Sequence, residues 1–300
     1  MVLRQRAEQS FSLLQAGDPS PPVLQPLMRS TTSRRRRSAD IPMENRDLFD
    51  LTGRNALVTG GGRGLGKAMA LGLAQYGANI AIVDIDLETA QSTAEEIGAL
   101  GVQSLALYGD VRSEEDAQRT VDQVCESMGS LDILLNNAGV ATVEAAETLS
   151  LADFKRVYDI DVTGVFIFSK AAYGPMARQG RGNIINIASM AGISALDPQK
   201  HMHYNSAKAA VIMITKSLAS EWASAGIRVN ALAPGYMITP PVIEMRAEDP
   251  ERWEHWMSRV PMGRAGEPPE LQGAVIYLAS DASSYMTGNI MVIDGGYTCL

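Results

Sequence analysis

Followed from the first residue, the apolar positions divide the chain into two unlike stretches. Residues 1–45 sustain no apolar period; Pro19, Pro21, Pro22 and Pro26, several serines and the run Arg34-Arg35-Arg36-Arg37 fill the segment. Such a composition cannot bury enough surface to offset the entropy of ordering itself. From about residue 50, short β-branched runs alternate with longer amphipathic stretches. Ala56–Thr59, Ile80–Asp84, Ser104–Tyr108, Ile133–Asn136, Asn183–Ala188, Arg228–Ala233 and Ile290–Ile293 read as strands. Helical periods fall between most of them, for example Leu65–Tyr76, ended by Gly77. Ser113, with Asp116 three residues on, reads as a capping box opening another helix. Near-continuous apolar strands alternating with helices predict a parallel sheet covered on both faces. The expected organisation is a disordered basic extension over 1–45 and a single doubly wound α/β domain over 46–300.

Composition narrows the chemistry. The chain has 300 residues, 46% hydrophobic, enough for one sizeable core. No apolar run approaches the roughly 20 residues of a membrane span. Cys125 and Cys299 lack metal-like or redox spacing and read as free thiols in a reducing compartment. His201, His203 and His255 are the only histidines, so a metal site or a Ser-His-Asp triad is poorly supplied and no metal is expected. Net charge is −8, unevenly placed: residues 1–45 hold seven Arg against four acids, leaving 19 basic and 30 acidic residues in 46–300, a net −11. An acidic body argues against nucleic acid as the domain's main partner. For the tail, a solvated extension of a cytoplasmic protein is the first reading. An Arg- and Ser-rich mitochondrial transit peptide and a polyanion-binding patch remain open. A secretory signal finds no clean apolar region.

The first strand runs directly into Thr59-Gly60-Gly61-Gly62-Arg63-Gly64-Leu65-Gly66, which opens the first helix. Glycines permit a tight turn and close approach to a pyrophosphate, and the free N–H groups of a helix start hold the anion. A ligand-free Gly-rich turn is the bland alternative. A second strand ends in an acid, Asp84, about twenty residues later, which points to dinucleotide binding. A carboxylate there accepts from ribose hydroxyls and repels a 2′-phosphate, favouring NAD. Arg63 could instead receive that phosphate, so NADP stays as the alternative.

Tyr204 and Lys208 stand at i and i+4 before the amphipathic run Ala209–Ala223, on one helix face and roughly 5–6 Å apart at Cβ. A nearby ammonium stabilises a phenolate and brings phenol chemistry toward neutral pH. Ser189 follows the strand Asn183–Ala188, at the sheet edge where doubly wound folds place ligands. Its hydroxyl could hold a substrate oxygen beside the phenol.

Taken in order, Thr59–Gly66, Asp110-Val111, Asn136-Asn137-Ala138-Gly139, Ser189, Tyr204/Lys208, Pro234-Gly235 and Thr239 resemble the motif set of the short-chain dehydrogenase/reductase family, from about residue 48 to the C-terminus. The resemblance implies a Rossmann fold with a seven-stranded parallel sheet in order 3-2-1-4-5-6-7. It implies Tyr204 as acid/base, Lys208 on the nicotinamide ribose, and Ser189 orienting substrate. By the same resemblance Gly60, Arg63, Gly64, Leu65 and Gly66 line the cofactor loop. Asp110 and Val111 would meet adenine, Asn137, Ala138 and Gly139 the ribose side, and Met237 and Thr239 the nicotinamide amide. Asp161 stands where the family usually carries an Asn that supports a proton-relay water; relay and simple packing are both open for it. The Ser189-to-Tyr204 spacing of 15 is slightly long, and with Asp161 it resembles the polyol branch, the mannitol, sorbose and arabinitol dehydrogenase-like enzymes.

The expected activity is hydride transfer between a nicotinamide cofactor and a secondary alcohol or ketone, a sugar or polyol by the branch resemblance. Reduction of β-ketoacyl or secondary-metabolite ketones is the rival within the class, and a non-catalytic NAD(H)-binding sensor or scaffold the rival outside it. His201 and His203 line the substrate mouth or sit on a solvated loop. Met245, Trp253, Trp256 and Met257 belong to a substrate lid or to an amphipathic helix packed on the domain. The ending Ile293-Asp294-Gly295-Gly296 resembles a strand and turn at an oligomer contact, so a homo-oligomer, tetramer or dimer, is expected.

Overall fold

Most apolar runs become strands because both of their faces find cover. The computed structural model describes residues 47–300, so the expected extension over 1–45 lies outside the described residues. The strands are β1 Asn55–Thr59, β2 Asn79–Asp84, β3 Ser104–Tyr108, β4 Ile133–Asn136, β5 Gly182–Ile187, β6 Ile227–Pro234 and β7 Ile290–Ile293. They form one seven-stranded parallel sheet in the order β3-β2-β1-β4-β5-β6-β7, as the family resemblance implies. Three strands coincide with the predicted runs at both ends. The other four differ by a single residue at one end or both.

The helices are α1 Gly64–Gln75, α2 Leu87–Gly98, α3 Glu114–Met128, α4 Leu151–Tyr158, α5 Gly164–Gln179, α6 Met202–Trp222, α7 Pro240–Glu248, α8 Pro250–Ser258 and α9 Gln272–Ala279. Alternate strand residues feed two cores. Ala56, Val58, Ile80, Ile82, Ile133 and Leu135 pack with Met69 and Leu73 of α1, Ile97 of α2 and Val275 of α9. Leu57, Ala81, Val83, Leu134, Ile184 and Val229 pack with Val121 of α3, Phe168 of α5 and Leu218 of α6. Full burial of one such side chain is worth about 1.5–3 kcal/mol, so the two layers together hold the sheet rigid.

One predicted device forms only in half. Ser113 Oγ accepts from Asp116 N at 3.1 Å and caps α3, as a capping box requires. Asp116 does not return the bond to Ser113: its carboxylate accepts from Asp110 N at 2.9 Å and pairs with Arg119. Among the described residues no helix is long and apolar enough to cross a membrane. Cys125 and Cys299 are both free thiols.

Candidate active site

At the carboxyl edge of β1 the backbone enters the glycine loop with Gly60 at φ +60° and Gly64 at φ +57°, a region that glycine adopts without penalty. The loop is built for closeness. A Cβ on Gly66 would lie 2.3 Å from Gly60 O and 2.4 Å from Asn137 Nδ2. A Cβ on Gly62 would lie 2.5 Å from Thr89 Oγ1. Asn137, just past β4, donates from Nδ2 to Thr59 O (3.0 Å) and Gly60 O (2.9 Å). Thr59 Oγ1 accepts from the N–H groups of Asn137 (3.0 Å) and Ala138 (3.1 Å). The β1 and β4 ends are thereby locked to each other. No side chain caps the start of α1, where Arg63 is the N-cap residue, so the N–H groups of its first turn stay free for an anion.

Asp84 at the end of β2 accepts from Gly62 N (3.1 Å) and Asp86 N (3.1 Å), which fixes its carboxylate against the loop. Arg63 is exposed, whereas Leu65 is half-buried against the core. Asp110 follows β3, but its carboxylate is gripped by the Arg112 guanidinium, with Nε 2.9 Å from Oδ1. That guanidinium is the largest of the influences holding the Asp110 carboxyl below the usual carboxylate range. Arg112 is a partner that the sequence reading missed; its signal is the i, i+2 spacing from the acid. Val111 lies half-buried against Gly164. The glycines, the open helix start and the fixed Asp84 fit the pyrophosphate and ribose of a dinucleotide.

Tyr204 and Lys208 share one face of α6, as their spacing predicts. Lys208 Nζ lies 5.6 Å from the centroid of the Tyr204 ring. It donates to Ile187 O at 3.0 Å and forms an ion pair with Asp161 Oδ2 at 3.0 Å. Burial pulls the Lys208 pKa down, but the charges of Asp161 and then Tyr204 outweigh it and hold the value above that of ordinary lysine. Asp161 sits in a wide helical turn, Asp159–Thr163, joining α4 to α5, and its Oδ1 accepts from Val140 N at 2.8 Å. Gly139 makes room for the pair: a Cβ there would come within 3.0 Å of Asp161 Oδ2 and 3.4 Å of Lys208 Nζ. Ser189, 9% exposed, stands two residues beyond the Ile187 carbonyl that Lys208 engages, and its Oγ accepts from Ala191 N at 3.1 Å.

The rim contains one correction. His203 is not on a solvated loop: it lies in the first turn of α6, fully buried, with Nε2 2.7 Å from Thr142 Oγ1. Helical phase accounts for this, because position 203 turns with Ala207 toward the interior. His201 precedes the helix with its ring 5.8 Å from that of Tyr204, and burial first, then His203, lowers its pKa to about 4. Met237 is buried beside Gly266, and Thr239 starts α7. In α8, Trp256 is buried and stacks on Tyr236 at 4.4 Å. Gln199 ties both to the β5–α6 loop, its amide oxygen accepting from Tyr236 Oη (2.7 Å) and from Trp256 Nε1. Trp256 thus packs as in an amphipathic helix and at the same time joins α8 to the loop that leads into Tyr204.

A family model described as enoyl-(acyl carrier protein) reductase matches residues 60–298. The galactitol 2-dehydrogenase (L-tagatose-forming) of Cereibacter sphaeroides is 39% identical over 256 residues, covering 85% of this chain and 99% of that protein. A solved NAD+-bound xylitol dehydrogenase is 36% identical, with a TM-score of 0.79 over 82% of this chain and 99% of its own. A gluconate 5-dehydrogenase from Burkholderia cenocepacia, solved with NADP and tartrate, is 36% identical, with a TM-score of 0.79 over 85% of this chain and 98% of its own. With likeness of that extent added to the glycine loop and the Tyr204–Lys208 pair, the chain belongs to the short-chain dehydrogenase/reductase family, nicotinamide-dependent oxidoreductases.

Proposed function

We propose that the protein oxidises a secondary alcohol of a polyol or related sugar, with NAD as its cofactor and Tyr204 as its acid/base. The observation that carries this reading is the buried ammonium of Lys208, 5.6 Å from the Tyr204 ring and on the same sheet edge as the glycine loop. Gly60, Gly64, Leu65, Gly66 and Asp84 would hold the dinucleotide, with Asn137, Ala138 and Gly139 beside its ribose. When bound, the nicotinamide supplies the acceptor for the two electrons leaving the alcohol carbon. Tyr204 takes the hydroxyl proton at its phenolate oxygen, and the adjacent ammonium stabilises that phenolate. Ser189 Oγ hydrogen-bonds the substrate oxygen, keeping it within reach of Tyr204.

NAD is favoured over NADP by Asp84, whose fixed carboxylate would repel a 2′-phosphate. A hydroxyl-rich substrate is favoured by the names of the relatives. Galactitol and xylitol, which two of them are named for, are both polyols.

The test is reduced-nicotinamide absorbance across NAD and NADP, with polyols, sugars, simple secondary alcohols and β-keto thioesters, wild type beside Tyr204→Phe. Turnover is expected on a polyol with NAD, lowered by about 10²–10⁴-fold in the variant, the usual contribution of a positioned acid/base. Turnover confined to β-keto thioesters would reject the substrate class. Turnover indifferent to Tyr204→Phe would reject the catalytic assignment.

A further inference from the structure

An ion pair withdrawn from water costs desolvation energy, so a buried pair calls for a role. The side chains of Lys208 and Asp161 are 5% and 0% exposed. The Asp161 carboxylate is held from two directions, by Val140 N on Oδ1 and by Lys208 Nζ on Oδ2. It is a fixed charge rather than a swinging one, and Gly139 leaves the gap that it occupies. The other ionisable neighbours do not duplicate it. His201 faces the Tyr204 ring at 5.8 Å and is neutral above a pH of about 4. Arg252 of α8 acts on His201, and Asp159, on the same turn as Asp161, acts on Arg112.

The charges of the half-buried Tyr204 and the buried ion pair can be counted together. With the phenol protonated, ammonium and carboxylate cancel, and Tyr204, Lys208 and Asp161 together are neutral. Loss of the phenol proton leaves a net −1 in a site that disfavours charge. With a neutral side chain at 161, the same loss would run from +1 to 0 and would occur at lower pH. Whether the remaining proton then sits on nitrogen or oxygen does not alter the direction, because the two groups titrate together.

We propose that Asp161 is a positioning residue that acts through Lys208, opposing release of the Tyr204 proton relative to a neutral residue at the same place. The inference rests on the catalytic reading of Tyr204 given above. Asp161 Oδ2 is 3.0 Å from Lys208 Nζ, itself 5.6 Å from the Tyr204 ring centroid; a unit charge at that range, at an effective dielectric of about 20, moves a protonation midpoint by about one pH unit once partly screened.

The experiment uses Asp161→Asn, which keeps Oδ1 as an acceptor for Val140 N, and Asp161→Ser as a second neutral variant, with folding checked by thermal unfolding. Phenolate absorbance in the near ultraviolet is titrated without cofactor, as the difference between each protein and its Tyr204→Phe counterpart. The pH profile of kcat/KM for alcohol oxidation is recorded alongside. In whichever neutral variant folds, both the phenolate midpoint and the acid limb should move down by about one pH unit. A folded variant whose midpoint and limb coincide with wild type overturns the proposal, even if kcat falls, since packing alone would then explain Asp161. Full turnover in Tyr204→Phe would sink the catalytic reading instead, and with it the functional half of this inference, whatever the titration shows.

Discussion

Gly66→Ala sets two rules against each other. Gly66 is the third residue of α1, where helix propensity alone favours alanine by about 0.5–1 kcal/mol. The loop geometry opposes it. The new Cβ would lie 2.3 Å from Gly60 O and 2.4 Å from Asn137 Nδ2, roughly 1 Å inside ordinary contact. Neither atom is free to retreat, because Gly60 N donates to Val83 O at 2.8 Å while Asn137 Nδ2 bridges Thr59 O and Gly60 O. Losing the two Asn137 bonds costs about 1 kcal/mol each, and overpacking adds about 1–3. After the helix gain is subtracted, a net loss of about 3 kcal/mol is expected. At about 2–4 °C per kcal/mol for a domain of this size, Tm should fall by roughly 6–12 °C. Displacing the loop should also weaken NAD binding at least about tenfold, equivalent to about 1.4 kcal/mol. Gly273→Ala is the matched control: it sits in α9 with nothing within 4 Å of the added Cβ and should raise Tm by about 2 °C. Thermal unfolding and calorimetric NAD titration of both variants decide the matter. A Gly66→Ala protein that melts at or above wild type and binds NAD normally would refute the close-approach reasoning.

Two further outcomes follow from side chains already placed. Asp84→Ser removes the carboxylate fixed by Gly62 N and Asp86 N and should lower the NAD/NADP ratio of kcat/KM by about tenfold or more; an unchanged ratio would show that selectivity lies elsewhere. His201 has its pKa lowered from 6.5 to about 4 in the folded protein, so between those values the unfolded chain binds the extra proton. Stability should therefore fall as pH drops from about 6.5 toward 4, and His201→Gln should flatten that part of a Tm-against-pH curve. A curve of equal slope in the variant would assign the acid sensitivity to other groups.

The sheet was legible because its signal is local. Most strands are short apolar runs that both cores need, as Leu57 and Val58 show by packing on opposite faces, whereas edge strand β7 leaves Val292 exposed. Strand ends escaped where side-chain bonds rather than hydrophobicity set them. Asn79 Nδ2 donates to Asn55 Oδ1 at 2.9 Å and extends β1 and β2 by one asparagine each. The pair Tyr204/Lys208 could be read from helical spacing, but the ion pair Lys208–Asp161 joins residues far apart in sequence and leaves no periodic trace. The same holds for His203, whose partner Thr142 comes from the loop beyond β4. The partial capping box has another cause: Asp116 had competing donors in Asp110 N and Arg119, which only the folded chain brings to it.

The wide turn Asp159–Thr163 also constrains how the chain can change. It lies between α4 and α5 without a break, and Gly164 N reaches back five residues to Asp159 O, one more than an α-helix uses. In effect a spare residue is lodged inside a single rod running from Leu151 to Gln179. One residue is about 100° of helical rotation. Deleting one would heal the rod into regular helix and rotate everything on one side of the turn against the other. Either Val157 or the stripe of Phe168, Ala172 and Met176 would then leave the interior, and Asp161 would swing off Lys208. The segment therefore tolerates changes of residue type more readily than a change of length, unlike surface loops, which absorb insertions and deletions. Its length, as much as the identity of Asp161, is what keeps the carboxylate aimed at the ammonium.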